Sequence, residues 1–146
     1  MSNWLICQSG NQLITQLLNC SITSPCCITI PMHLFRSKAT PDAEGYFTTV
    51  FAEAVQAGQM TAVTINGHKI ILTSWDGELY AFSAECPHAS TDFAKGWLSR
   101  YKVTCADHEY CWDVRNGRIL WPEDENYRLK KYPVKVEDGI VKVNLD

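Results

Sequence analysis

Two short boxes of potential metal ligands constrain this 146-residue chain more than any other feature of its sequence. Cys86-Pro87-His88 and Cys105-Ala106-Asp107-His108 each offer one thiol and one imidazole, and sixteen residues separate the two boxes. A lone cysteine or histidine is usually structural, but two matched pairs of ligand-type side chains rarely arise by chance. The candidate metal ligands are therefore Cys86, His88, Cys105 and His108, all expected on loops.

Length, charge and hydropathy limit the other classes of function. A chain of this length forms one domain with a core large enough to fold alone. Its formal net charge of −3 gives no reason to expect nucleic acid or an anionic membrane as a partner. No apolar run approaches the roughly eighteen residues that a membrane-spanning helix needs. We therefore expect a protein with no membrane span and no nucleic-acid partner.

The remaining cysteines do not indicate a disulfide scaffold. The chain has seven cysteines, an odd number, at spacings unlike those of disulfide-rich domains. In a reducing compartment such residues are metal ligands or incidental thiols. We interpret as incidental the five that have no neighbouring histidine at ligand spacing, namely Cys7, Cys20, Cys26, Cys27 and Cys111.

The N-terminal part of the chain differs in composition from the rest. No Asp, Glu, Lys or Arg occurs from Met1 to Phe35, and we predict a poorly ordered tail over residues 1–45 and one domain over residues 46–146. A secretory signal would begin with basic residues, which the tail lacks before Arg36. We expect a cytoplasmic protein; the alternatives are a plastid transit peptide and a natural start at Met32.

From Tyr46 onward the sequence is typical of short antiparallel strands separated by tight turns. Asn66-Gly67 suits a type I′ hairpin, because both residues tolerate positive φ. Asp76-Gly77 and Asp138-Gly139 mark further turns. The predicted elements are strands over residues 61–65, 68–74, 78–82, 131–136 and 140–143, with a brief helical turn over residues 52–57. The sequence thus predicts an all-β domain.

The spacing within the boxes bears on the kind of metal. Structural zinc sites usually pair Cys-x₂₋₄-Cys with His-x₃₋₅-His, so that each pair grips one ion. With only one residue between them, Cys86 and His88 are poorly spaced to bind the same tetrahedral ion. It suits a binuclear centre, in which the thiolate binds one metal and the imidazole binds the other. A Cys₂His₂ zinc module is the minor alternative.

The pattern Cys86-x-His88 followed by Cys105-x-x-His108 resembles the Rieske [2Fe–2S] motif. The flanking segments 80–82, 110–113, 129–134 and 136–139 are similar to that family as well, and the resemblance covers Phe47 to Leu145. It implies a Rieske-type antiparallel β-sandwich of three stacked sheets, with one [2Fe–2S] cluster in a small cluster-binding subdomain. By the same resemblance, Cys86 and Cys105 would bind the inner iron and His88 and His108 the outer iron.

Departures from the family pattern indicate which type of Rieske protein this is. The respiratory type carries an extra cysteine in each box, joined in a disulfide, where this chain has Thr91 and Asp107. It also has hydroxyls two and four residues after the second histidine, where this chain has Tyr110 and Trp112. The acids Asp107 and Glu109 flank His108, and negative charge there disfavours adding an electron. We therefore expect a low-potential centre without a disulfide clamp.

The resemblance implies a function in electron transfer. We expect a soluble Rieske ferredoxin that carries one electron from a flavin- or ferredoxin-dependent reductase to a terminal oxygenase and is not itself an enzyme. An oxygenase subunit would need a further site with two histidines and a carboxylate, and only His33 and His68 remain. The alternative is a small Rieske-like subunit of a larger reductase, such as nitrite reductase.

Overall fold

A computed structural model describes residues 38–146, so the predicted tail lies outside the described residues up to position 37. The described part is all-β, as predicted. Two short 3₁₀ helices, Ala52–Ala54 and Phe93–Lys95, accompany the strands. The strands are β1 (Tyr46–Phe51), β2 (Thr61–Ile65), β3 (His68–Trp75), β4 (Glu78–Ser83), β5 (Trp97–Ser99), β6 (Lys102–Thr104), β7 (Cys111–Asp113), β8 (Ile119–Trp121), β9 (Lys131–Tyr132), β10 (Val134–Glu137) and β11 (Ile140–Asn144).

The strands form three antiparallel sheets, in the orders β1-β11-β10, β2-β3-β4-β9 and β5-β6-β7-β8. The middle sheet separates two hydrophobic cores. Because successive side chains of a strand point to opposite faces, Ile70 and Leu72 of β3 enter one core and Ile71 enters the other. In β4, Leu79 packs in the same core as Ile70, and Tyr80 packs in the same core as Ile71. This arrangement confirms the three-layered β fold.

Tight turns join the strands where the sequence predicts them. Asn66-Gly67 has φ values of 49° and 90°, Asp76-Gly77 has 54° and 79°, and Asp138-Gly139 has 52° and 74°. Positive φ at both central residues matches the right-handed twist of the flanking strands. No helix within residues 38–146 is long and apolar enough to cross a membrane.

The closing segment differs from the prediction. A single strand was expected over residues 131–136, whereas the structure has β9 paired with β4 and β10 paired with β11. Pro133 separates them because it has no N–H to donate to a ladder. Its carbonyl accepts the Asn144 N–H at 2.9 Å, so the chain passes there from the middle sheet to the outer one. The helical turn predicted over residues 52–57 is only the 3₁₀ helix.

Ordered contacts begin before β1. The Asp42 carboxylate accepts the backbone N–H groups of Glu44 at 3.1 Å and Tyr46 at 2.9 Å, and it pairs with Lys142 at 3.1 Å. The Ala39 carbonyl accepts the side-chain amide of Asn66 at 3.0 Å. Residues 39–45 therefore lie against the β domain.

A buried carboxylate fixes the connection between β7 and β8. Asp113 is 3% exposed and accepts hydrogen bonds from the Arg115 backbone at 2.9 Å, its guanidinium at 2.8 Å, and the Asn116 amide at 3.1 Å. Burial alone raises the pKa of the Asp113 carboxyl, but the hydrogen bonds and charge of Arg115 outweigh burial and leave that pKa below its usual value.

Replacing this carboxylate tests the turn. We expect Asp113→Asn to lower the free energy of unfolding near neutral pH by about 1–3 kcal/mol, because hydrogen bonds to a charged group are lost. Because the pKa of Asp113 is lowered in the folded protein, its carboxylate stabilises the fold above the unfolded pKa of about 3.9. This stabilisation is lost as the pH falls through the folded-state pKa. The deficit of the variant should therefore shrink below about pH 4, as measured by urea unfolding. The exposed Asp124→Asn is the control, and a pH-independent deficit would contradict the account.

Candidate metal centre

Two loops meet above one hydrophobic core. One loop follows β4, and the other joins β6 to β7. Their first residues, Cys86 and Cys105, are 1% and 0% exposed and belong to the core that contains Phe82, Phe93 and Trp112. The core thus holds the base of each loop, while the histidines lie further out.

The two loops have the same backbone hydrogen-bond pattern. The Cys86 N–H donates to the Thr91 carbonyl at 2.8 Å, and the Cys86 carbonyl accepts the Ser90 N–H at 2.8 Å. In the second loop, the Cys105 N–H donates to the Tyr110 carbonyl at 2.9 Å, and the Cys105 carbonyl accepts the Glu109 N–H at 3.1 Å. Each cysteine therefore closes its own loop.

Both loops require a left-handed residue at the same place. Counting each cysteine as the first residue, the fifth has a positive φ, 55° at Ser90 and 59° at Glu109. This conformation is unfavourable for residues with a Cβ atom. The chain reverses there, which turns each loop back toward its cysteine. Glu109 thus occupies a position at which glycine would be unstrained.

The structure brings the four predicted ligands together as two pairs. Cys86 and Cys105 belong to the same buried core cluster. Burial raises the pKa of the Cys86 thiol, the backbone N–H groups of His88 and Ala89 oppose that rise, and the Cys105 thiol adds to it. The rings of His88 and His108 have centroids 4.9 Å apart at 87°. The site therefore has a buried sulfur side and an outer imidazole side.

Aromatic rings fix His88 in place. The Tyr110 ring stacks on the imidazole with centroids 4.1 Å apart and planes at 11°, and Tyr127 meets its edge at 5.7 Å. Within the described residues, the buried Nδ1 of His88 has no hydrogen-bond partner. An unpaired buried nitrogen is costly, and metal coordination would satisfy it. The His108 ring, by contrast, is exposed.

The site offers two kinds of donor atom. Two thiols and two imidazoles are soft and borderline ligands, which suit zinc or iron–sulfur centres. No group of three or more Cys, His, Asp or Glu side chains in residues 38–146 has the geometry of a formed metal site. The rings of His88 and His108 adjoin each other, and both cysteines are buried in one core.

Sequence reasoning did not find the aromatic contacts. The sequence places Tyr110 in the family-like segment 110–113, at a position where the respiratory type has a hydroxyl. In the structure its hydroxyl donates to Glu125 Oε1 at 3.4 Å and its ring supports His88. Trp112 is fully buried and packs edge-on against Phe93 at 5.3 Å. Tyr127 lies in a loop with no distinguishing pattern, so only the fold reveals its position.

The comparison with protein families agrees with this geometry. The family model of the Rieske [2Fe–2S] domain matches residues 46–133, which is more than half of the chain. The chain belongs to the Rieske [2Fe–2S] domain family. All four candidate ligands lie inside the matched Rieske region, whereas β10 and β11 follow it.

Two relatives are matched over nearly their whole length. The ferredoxin component of the naphthalene 1,2-dioxygenase system of Pseudomonas aeruginosa is 31% identical over 103 residues, which cover 70% of this chain and 97% of that protein. Sulredoxin of Sulfurisphaera tokodaii is 28% identical over 104 residues, covering 66% and 95%. The relatives that match over nearly their whole length therefore include a ferredoxin component and a sulredoxin.

Solved structures share the Rieske fold. The ferredoxin of carbazole 1,9a-dioxygenase from Nocardioides aromaticivorans IC177 superimposes with a TM-score of 0.63 at 21% identity, covering 69% of this chain and 98% of that one. The terminal oxygenase of carbazole 1,9a-dioxygenase from the same organism gives 0.63 at 28% identity. That match covers 69% of this chain but only 30% of the oxygenase. A larger protein can thus contain this domain as one part.

The left-handed residue of the second loop allows a specific test. Because Gly adopts positive φ without strain, Glu109→Gly should leave the free energy of unfolding unchanged or raise it by up to about 1 kcal/mol. The matched change Glu85→Gly, at an exposed residue without positive φ, should lower it by about 0.5–1 kcal/mol. Urea unfolding of both variants measures the difference. Equal destabilisation by the two glycines would contradict the assigned loop geometry.

Proposed function

We propose that residues 46–146 form a Rieske domain that holds one [2Fe–2S] cluster. Cys86 and Cys105 would bind the inner iron, and His88 and His108 would bind the outer iron. The observation that carries the proposal is the pairing of two buried thiols with two adjoining imidazoles on matched loops. The unpaired Nδ1 of His88 supports the assignment of that nitrogen to the metal.

The residues around the site have different roles in electron transfer. A bound Rieske cluster takes up and releases one electron, at roughly −150 to +300 mV rather than the about −400 mV of plant-type ferredoxins. Cys86 and Cys105 keep the sulfur side away from water, because both lie in the core. The exposed His108 ring provides the short path from the centre to the surface. Tyr110 holds the His88 ring in one orientation.

We propose that the protein is a soluble one-electron carrier between a flavin- or ferredoxin-dependent reductase and a terminal oxygenase, and that it acts in the cytoplasm. The match to nearly the whole length of a dioxygenase ferredoxin component supports this role. A Cys₂His₂ zinc module is the alternative, and the single residue between Cys86 and His88 is a shorter spacing than structural zinc sites usually have.

Removing single imidazoles tests the ligand assignment. We expect His88→Ala and His108→Ala each to abolish the EPR signal of a reduced mixed-ligand two-iron centre, because one iron loses half of its protein ligands. His68→Ala is the control, since His68 is an exposed residue of β3 outside both loops. Iron and acid-labile sulfide are measured on the same samples. A normal EPR signal in either ligand variant, or zinc in place of iron, would overturn the proposal.

The acids beside His108 predict a low midpoint potential. Asp107 and Glu109 are both exposed next to the proposed outer ligand, and their negative charge disfavours the added electron. We expect a midpoint at or below about 0 mV, in the lower part of the Rieske range. Protein-film voltammetry measures it, and coulometry should give one electron per chain. A midpoint well above about +100 mV would contradict this expectation.

A further inference from the structure

The two loops contact each other through equivalent positions. Counting each cysteine as the first residue, the sixth residue of each loop contacts the third residue of the other. Tyr110, sixth in the second loop, stacks on His88, third in the first. Thr91, sixth in the first loop, donates its hydroxyl hydrogen to the carboxylate of Asp107, third in the second. One contact is aromatic and the other is a charge-assisted hydrogen bond.

The Thr91 contact joins parts of the backbone that adjoin the proposed ligands. The Thr91 carbonyl accepts the Cys86 N–H at 2.8 Å, so this residue is fixed to the first loop at its base. Asp107 directly precedes His108 and follows Cys105 by two residues. A hydrogen bond from Thr91 to Asp107 therefore links the base of one loop to the histidine-bearing part of the other. Hydrogen bonds to a carboxylate are shorter and stronger than neutral ones.

We propose that Thr91 and Asp107 are positioning residues that clamp the two loops together and slow the loss of the cluster; this rests on the proposed function. The pair occupies the positions that carry the clamping disulfide in the respiratory type. A hydrogen bond joins the two loops more weakly than a disulfide, but thiols cannot reduce it. The clamp therefore keeps the loops closed in a reducing compartment. It complements the Tyr110–His88 stack, so that each loop is held by the other at two points.

Three substitutions at the pair separate the hydrogen bond from its surroundings. Thr91→Val keeps the shape of the side chain and removes the hydroxyl, whereas Thr91→Ser keeps the hydroxyl. Asp107→Ala removes the acceptor. Glu109→Gln is the control for charge, because it neutralises a neighbouring acid and leaves the pair intact. Loss of about 1 kcal/mol of hydrogen bonding corresponds to a roughly five-fold change in an equilibrium or a rate.

Two readouts are made on the purified full-length protein. Loss of visible absorption in the presence of a chelator gives the rate of cluster release. Residue-resolved hydrogen exchange gives the protection of the Ser90 and Glu109 amides, with the Ile71 amide of β3 as reference. We expect Thr91→Val to release the cluster about five-fold faster and to lower protection at Ser90 and Glu109 by a similar factor. Thr91→Ser and Glu109→Gln should match the unchanged protein in both measurements.

The double variant gives the decisive comparison. If the two side chains act through their hydrogen bond, adding Thr91→Val to Asp107→Ala produces no further change in either readout. Additive effects, or a Thr91→Val protein that behaves like Thr91→Ser, would overturn the clamp. Hydrogen exchange decides this even if the protein carries no cluster. Absence of a cluster from the unchanged protein would instead overturn the proposed function, so the two failures are distinguishable.

Discussion

Backbone hydrogen bonds from two buried cysteines determine the geometry on which the rest of the site depends. Cys86 and Cys105 each use both their N–H and their carbonyl to close a loop of the same shape. Because the core holds these two residues, the loops begin from fixed points and carry His88 and His108 outward to adjoining positions. Packing in the sheets thus determines where the sulfur and nitrogen donors lie.

This arrangement gives the proposed centre two different sides. The thiols lie beneath the surface, whereas the His108 ring is exposed beside two acids. Two ferric ions, two sulfides and two thiolates sum to zero charge when the imidazoles are neutral, so the centre accepts an electron more readily than an all-cysteine one. The neighbouring carboxylates act in the opposite direction. The potential of the carrier therefore depends on the balance between its ligands and its surface charges.

The sequence supports the local parts of this description better than the long-range ones. Asn66-Gly67 and Asp138-Gly139 predict their hairpins because turn chemistry acts between neighbouring residues. The candidate ligands are found for the same reason, because the cysteine and histidine of each box are close together in the sequence. The division of the closing strand at Pro133 depends on which sheet accepts each half. The hydrogen bond from Thr91 joins residues sixteen positions apart. The resemblance pairs these two positions, but nothing in the sequence predicts a hydrogen bond between them.

In the proposed centre, one iron is bound by two histidines and the other by two cysteines. Pulsed EPR of the reduced protein labelled with ¹⁵N-histidine counts the imidazole ligands, because nitrogen bound to the iron couples to the unpaired electron. We expect two coordinated imidazole nitrogens in each centre, from His88 and His108. A spectrum with one coordinated nitrogen or none, from a sample with full iron and sulfide content, would contradict it.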